Sequence, residues 1–157
     1  MAQHRWLNLL ATWGGTGYSP KAPGTVGSLA ALPLWWAISP LNPWLYGAIV
    51  LTICLLGTWA AHHYSQQENV ADPKQVVIDE VVGVLITLAG VPWSWQDILA
   101  GFLLFRLFDI LKPWPVGWLD RHVHGGVGIM ADDVAAGILA WLVLHLSSNF
   151  LATLVGT

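Results

Sequence analysis

Trp44 to Ala61 reads WLYGAIVLTICLLGTWAA, an apolar run without a single Asp, Glu, Lys or Arg. At ~1.5 Å per residue such a run, if helical, crosses the ~30 Å of a bilayer's hydrocarbon. It lies inside a longer charge-free region, Ala22 to Gln67, and Val134 to Thr157 forms a second one. A helix on a soluble domain needs a polar face, and these segments have no charged residues with which to build it. Of the 157 residues, 55% are hydrophobic and 10% charged, where soluble domains carry ~25% charged residues; mean hydropathy is +0.59. The fold class that follows is all-α: a multi-helix membrane-embedded bundle with short, kinked or interfacial helices, with residues 1–157 as a single domain.

Working outward, Val134–Val155 reads as the second clear span. Between the two spans, Val76–Ala89 and Ile98–Leu111 read as apolar helices, the latter capped by Asp97 and ended by Pro113 and Pro115. Val26–Ile38 reads as a short helix kinked at Pro33 and capped by Thr25 or Ser28. Arg5–Trp13 fits a short amphipathic helix at a membrane surface, and its apolar stretch is too short for a convincing signal peptide. Gly14 to Thr25 reads as an irregular loop, and Ser65 to Gln75 as a polar one. Trp35, Trp36, Trp44, Trp114 and Trp118 fit the aromatic belt at headgroup level, as His62-His63 fit a span end. Lys74, Lys112 and Arg121 would face the cytoplasm if their loops share a side.

The sparse charges exclude several function classes. A net charge of −3 with no basic patch argues against nucleic-acid binding. Cys54 stands alone in an apolar run, which suits a core thiol and no disulfide or thiolate metal site. No Walker loop is present, because Pro20 stands where the glycine before Lys21 would be and Ala22 where a Ser or Thr is needed. The loop's glycines can still expose N–H groups to a phosphate, beside the plainer reading of an ordinary turn.

What remains is concentrated in Arg106–Asp133, RLFDILKPWPVGWLDRHVHGGVGIMADD, and in the pair Asp79-Glu80. An ionised carboxylate in apolar surroundings is costly unless paired, metal-bound or wetted by a cavity. Asp79-Glu80 and Asp132-Asp133 each open an apolar stretch, and a helix dipole alone accounts for one acid per helix better than for two. Gly83 follows Asp79 by four residues and Gly137 follows Asp133 by four, so small faces can let two helices approach and bring both pairs to one centre. Arg106, Asp109 and Lys112, at i, i+3 and i+6, share one side of their helix. They form either a self-neutralising ladder or a site in which Asp109 binds metal while Arg106 and Lys112 hold phosphate. An all-oxygen donor set suits Mg²⁺ rather than zinc. Asp120-Arg121-His122-Val123-His124, if extended, would line up Asp120, His122 and His124 for a metal; a headgroup-facing loop is the plainer reading. Histidine titrates near neutrality, so His124 can also serve as an acid or base. An ion or proton pathway through the acids, or a non-catalytic membrane adaptor, are the readings from other classes.

Four segments, SPKAPGTVGSLA from Ser19, VIDEVVG around Asp79, FRLFDILKPWPV from Phe105 and VHGGVGIMADDVAAG from Val123, give the chain its resemblance to the phosphatidylglycerophosphatase A family of bacterial lipid phosphatases. The resemblance implies a helical, Mg²⁺-dependent enzyme of the inner membrane that converts phosphatidylglycerophosphate to phosphatidylglycerol. It makes Asp79, Glu80, Asp109, Asp132 and Asp133 the candidate metal and catalytic groups, and Arg106, Lys112 and Lys21 the candidate phosphate ligands. One or two ions, and either direct attack by water or an aspartyl-phosphate intermediate, are compatible with that set.

Overall fold

The computed structural model describes the backbone of residues 2–155 and the side chains of residues 5–147. It is all-helical, with no strand among the described residues. Eight helices follow in order: α1 (Ala2–Ala11), α2 (Pro23–Ala30), α3 (Leu32–Ile38), α4 (Pro43–Glu68), α5 (Ile78–Thr87), α6 (Trp95–Leu111), α7 (Val116–His122) and α8 (Gly125–Val155), with a 3₁₀ turn at Thr16–Tyr18.

The core is built around α5, which packs against α2, α4, α6 and α8. Ile78, Val81, Val82, Val84 and Leu85 are all fully buried, so this short helix is enclosed on every side, as an all-round apolar sequence requires. Gly90 at φ +72° and Pro92 stop the chain from continuing it. A helix that ends inside the core leaves carbonyls that water cannot reach. Three aromatic side chains supply the donors: Tyr46 Oη from α4 to Leu85 O at 2.5 Å, Trp35 Nε1 from α3 to Leu88 O at 2.9 Å, and Trp141 Nε1 from α8 to Ala89 O at 2.9 Å. Trp35 is therefore a core residue, 2% exposed, and not part of an aromatic belt. Trp36, Trp44, Trp114 and Trp118 are exposed.

The other departures from the sequence reading concern helix ends. Val26–Ile38 is two helices, and the first begins three residues earlier, with Pro23 in its first turn after Ala22 at φ +47°. Neither Thr25 nor Ser28 caps it; Ser28 Oγ donates to Gly24 O at 2.7 Å. Pro33 sits at the second position of α3, where its missing N–H costs nothing, so the chain breaks before the proline rather than bending over it. α4 runs on to Glu68, absorbing His62, His63 and part of the supposed polar loop, and ends at Asn69 in the left-handed region. α6 starts at Trp95 because Ser94, not Asp97, is its cap, accepting from Asp97 N at 3.4 Å.

α4 and the Gly125–Ser147 part of α8 are long and apolar enough to cross a membrane. They start and end in opposite sense: the C-terminal end of α4 meets the start of α8. There a Cβ on Gly126 would sit 2.2 Å from Thr58 O, so only glycine allows the contact, and His62 Nδ1 accepts the Gly126 N–H at 3.5 Å.

Candidate active site

At that same end lies a cavity of about 390 Å³, walled by α2, α5, α6, α7, α8 and the loop after α4. Its polar lining consists of Asp72, Lys74, Asp79, Glu80, Arg106, Asp109, Lys112, Asp120, His124, Asp132 and Asp133. Ten of the fifteen Asp, Glu, Lys and Arg residues of a charge-poor protein are thus gathered on one wall.

Two glycines bring the acids together. A Cβ on Gly137 would meet Gly83 O at 2.6 Å, and one on Gly83 would meet Asp133 O at 3.0 Å and Phe105 at 2.2 Å. The backbones of α5 and α8 therefore touch one turn beyond the acidic pairs. Asp132-Asp133 do not open α8, as the sequence suggested. That helix begins at Gly125, so the pair sits roughly 10 Å along it, beyond reach of the favourable N-terminal dipole.

Asp79, Glu80 and Asp133 each bring one carboxylate oxygen within 4.8 Å of the other two. Asp79 is 9% and Asp133 3% exposed. Asp79 Oδ1, Glu80 Oε2 and Arg106 Nε are buried without a hydrogen-bond partner among the described residues. Burial, together with the charges of Glu80 and Asp133, holds the Asp79 carboxyl well above the usual carboxylate range. Burial also raises Glu80, against the opposing pull of Asp79 and Arg106. This group of carboxylates could hold a metal ion.

The cations are unevenly shared. Arg106 Nη1 pairs with Asp109 Oδ2 at 2.5 Å, the i,i+3 pair foreseen from spacing, and stands 3.9 Å from Glu80 Oε1. It also lies 3.5 Å from Ser28 Oγ. Asp109 and Asp133 line the same wall. Lys112 turns away from this ladder. Its Nζ lies 2.8 Å from Asp132 Oδ2 and bonds Asp120 as well. Burial opposes the Lys112 charge, but the two carboxylates outweigh it and raise its pKa.

Lys21 is exposed and outside the lining, although Ala22, Pro23 and Gly24 border the cavity. Of the loop's glycines, Gly24 reaches the site, while Gly17 is buried against Gln75 O. Lys74 lines the wall along with Lys112, and Asp72 stands beside Lys74. Asp120 belongs to helical α7 and not to an extended strand, so Asp120, His122 and His124 do not form one row. Asp120 and His124 nonetheless line the cavity, whereas His122 stacks on Trp118. The signal for Asp72 and Lys74 was their place on a short connection leading into Asp79-Glu80, which tethers them to the same end.

The family model for phosphatidylglycerophosphatase A matches residues 9–148, which take in the whole cavity wall. The chain belongs to the phosphatidylglycerophosphatase A family. Membership makes it a phosphatase, a phosphoric monoester hydrolase. It is 44% identical over 140 residues to phosphatidylglycerophosphatase A of Escherichia coli strain K12, covering 88% of this chain and 81% of the relative. Identity to phosphatidylglycerophosphatase A of Haemophilus influenzae is also 44% over 140 residues, covering 88% and 86%. A Bacteroides thetaiotaomicron protein provisionally named phosphatidylinositol-3-phosphatase is 41% identical over 145 residues, covering 87% and 89%. No solved structure matches the chain.

Gly24 gives a first test of the site. A Cβ there would stand 2.1 Å from Glu80 Oε1 and 3.3 Å from Arg106 Nη1. Gly24→Ala should drive the Glu80 carboxylate off its position and lower kcat by roughly 10²-fold, the usual cost of a ~1 Å misplacement. Steady-state kinetics check it; unchanged kcat would mean that Glu80 has no fixed role.

Proposed function

We propose that the protein hydrolyses the phosphomonoester of phosphatidylglycerophosphate, giving phosphatidylglycerol and inorganic phosphate in phospholipid biosynthesis, with Mg²⁺ as cofactor and the bacterial inner membrane as its site of action. The observation that carries the reading is the group of buried carboxylates with orphaned oxygens, set beside cations at one end of two long apolar helices. The names of two relatives support the substrate.

Three hard oxygen donors, two with unsatisfied atoms, fit a magnesium ion. Asp79, Glu80 and Asp133 would hold it, with Asp109 bound to Arg106 and Asp132 to Lys112 beside it. When bound, such an ion polarises a phosphoryl oxygen and makes a bound water more acidic. Arg106, with its planar fork, and Lys112 would stabilise charge on the transferring phosphoryl oxygens; Lys74 is better situated for this than Lys21. A leaving glycerol oxygen needs a proton, and His124 on the cavity wall can hand one over.

Exposed apolar side chains support membrane embedding. Leu99, Leu103, Leu107 and Ile110 form one stripe along α6, and Leu55, Leu142 and Leu146 extend the apolar surface over α4 and α8. An apolar surface of this extent marks contact with lipid or another protein. Exposed tryptophans at the helix ends suit headgroup level. A transmembrane ion pathway is disfavoured because α8 carries no charge from Val134 onward.

Purified protein in mixed micelles should release phosphate from phosphatidylglycerophosphate faster than from phosphatidylinositol 3-phosphate or phosphatidic acid, read as kcat/KM. A preference for either of the others would reject the proposed substrate.

A further inference from the structure

The carboxylates of the cavity fall into two groups, one short of positive charge and the other already supplied with it. Asp79, Glu80 and Asp133 converge with Asp79 Oδ1, on a residue only 9% exposed, and Glu80 Oε2 left unpartnered. Their cationic neighbour, Arg106, bonds Asp109 at 2.5 Å and reaches Glu80 only at 3.9 Å. Asp120 and Asp132 instead close on the Lys112 ammonium, with Asp72 facing the same charge from the loop before α5. Asp132 and its neighbour Asp133 thus belong to different groups, Asp132 on the Lys112 ammonium and Asp133 with Asp79 and Glu80.

Lys112 is held there by the chain as well as by charge. Its backbone is left-handed, at φ +47°, where α6 stops before Pro113. A Cβ on Gly117 would come within 2.5 Å of Lys112 O, so the first turn of α7 lies directly against that carbonyl. An ammonium has three N–H donors, and two carboxylates occupy two of them. The third is free for a phosphoryl oxygen in the cavity that Lys112 lines.

Two-metal phosphatases clamp the transferring group between a pair of cations. We infer that this protein takes a single divalent ion, at Asp79, Glu80 and Asp133, and that the Lys112 ammonium between Asp120 and Asp132 is its built-in second cation. This inference rests on the metal reading above and goes beyond it in fixing the stoichiometry and in giving Lys112 a role distinct from that of Arg106.

The test counts Mn²⁺ bound to the full chain in detergent micelles by electron paramagnetic resonance. Wild type should bind one ion per chain, and Lys112→Arg should also bind one. Lys112→Met empties the position between Asp120 and Asp132 and should bind two, falling back to one in Lys112→Met/Asp132→Asn. Two ions in wild type would overturn the inference while leaving the metal reading intact. No ion in wild type would overturn the metal reading, and the inference with it. If Lys112→Met does not fold, Asp132→Asn alone decides. Retention of one ion supports the division of the two acids; a fall to zero overturns it by putting Asp132 on the resident ion.

Discussion

Asp79→Asn should abolish turnover, by at least ~10³-fold, and yet raise the melting temperature of the metal-free protein. The two effects have one cause. Asp79 is buried beside Glu80 and Asp133, and its Oδ1 has no partner. Without a divalent ion the folded chain must either hold this carboxylate charged against its neighbours or keep it protonated, which is why its pKa is raised. Asparagine keeps the shape and removes the charge, relieving the repulsion; gains at such sites run to about 0.5–2 kcal/mol. For a chain of this size that is a rise of a few degrees, since ~1 kcal/mol corresponds to roughly 2–4 °C. The same change removes an anionic ligand from a three-carboxylate site, and a neutral amide oxygen binds a hard cation more weakly. Differential scanning calorimetry in EDTA, paired with phosphate release in Mg²⁺, reads both signs. Lower stability with retained turnover would make Asp79 a structural residue.

Gly137→Ala should lower stability and activity together. The added Cβ meets Gly83 O at 2.6 Å and Gly83 Cα at 3.1 Å. These are backbone atoms, so no side-chain rotation makes room, and α8 must move away from α5. Overpacking of this kind costs about 1–3 kcal/mol. Because Asp133 and Asp79 lie one turn from the contact on the two helices, the shift also opens the carboxylate group, and a ~1 Å displacement costs roughly 10²-fold in rate. Gly47→Ala is the control: Gly47 lies on α4 with nothing within 4 Å of an added Cβ, so better helix propensity should leave it neutral or stabilised by up to about 1 kcal/mol. Equal behaviour of the two variants in thermal unfolding and kinetics would mean that the glycine crossing does not set the site.

Those two positions also mark what the sequence made legible. Charges are expensive in apolar surroundings, so Asp79-Glu80, Asp109 and Asp132-Asp133 stood out, and a glycine four residues after Asp79 and another four after Asp133 pointed to a close crossing. The Arg106–Asp109 pair followed from helical spacing. Tertiary packing hid the rest. Nothing in the spacing of eleven tryptophans says that Trp35 and Trp141 donate to Leu88 O and Ala89 O, the carbonyls just past the end of α5. The partner of Lys112 was missed because a left-handed turn at that residue carries its side chain from the α6 ladder toward Asp120 and Asp132. Lys21 was named from the family resemblance, but α2 starts as early as Pro23, and Lys21 is left outside while Ala22, Pro23 and Gly24 border the cavity.

The central claim is that the α5 and α8 carboxylates hold a divalent cation needed for phosphomonoester hydrolysis. Phosphate release from phosphatidylglycerophosphate by the purified protein, measured after EDTA treatment and again on adding Mg²⁺, tests it most directly. Turnover should vanish in EDTA and return with Mg²⁺; undiminished turnover in EDTA would contradict the claim.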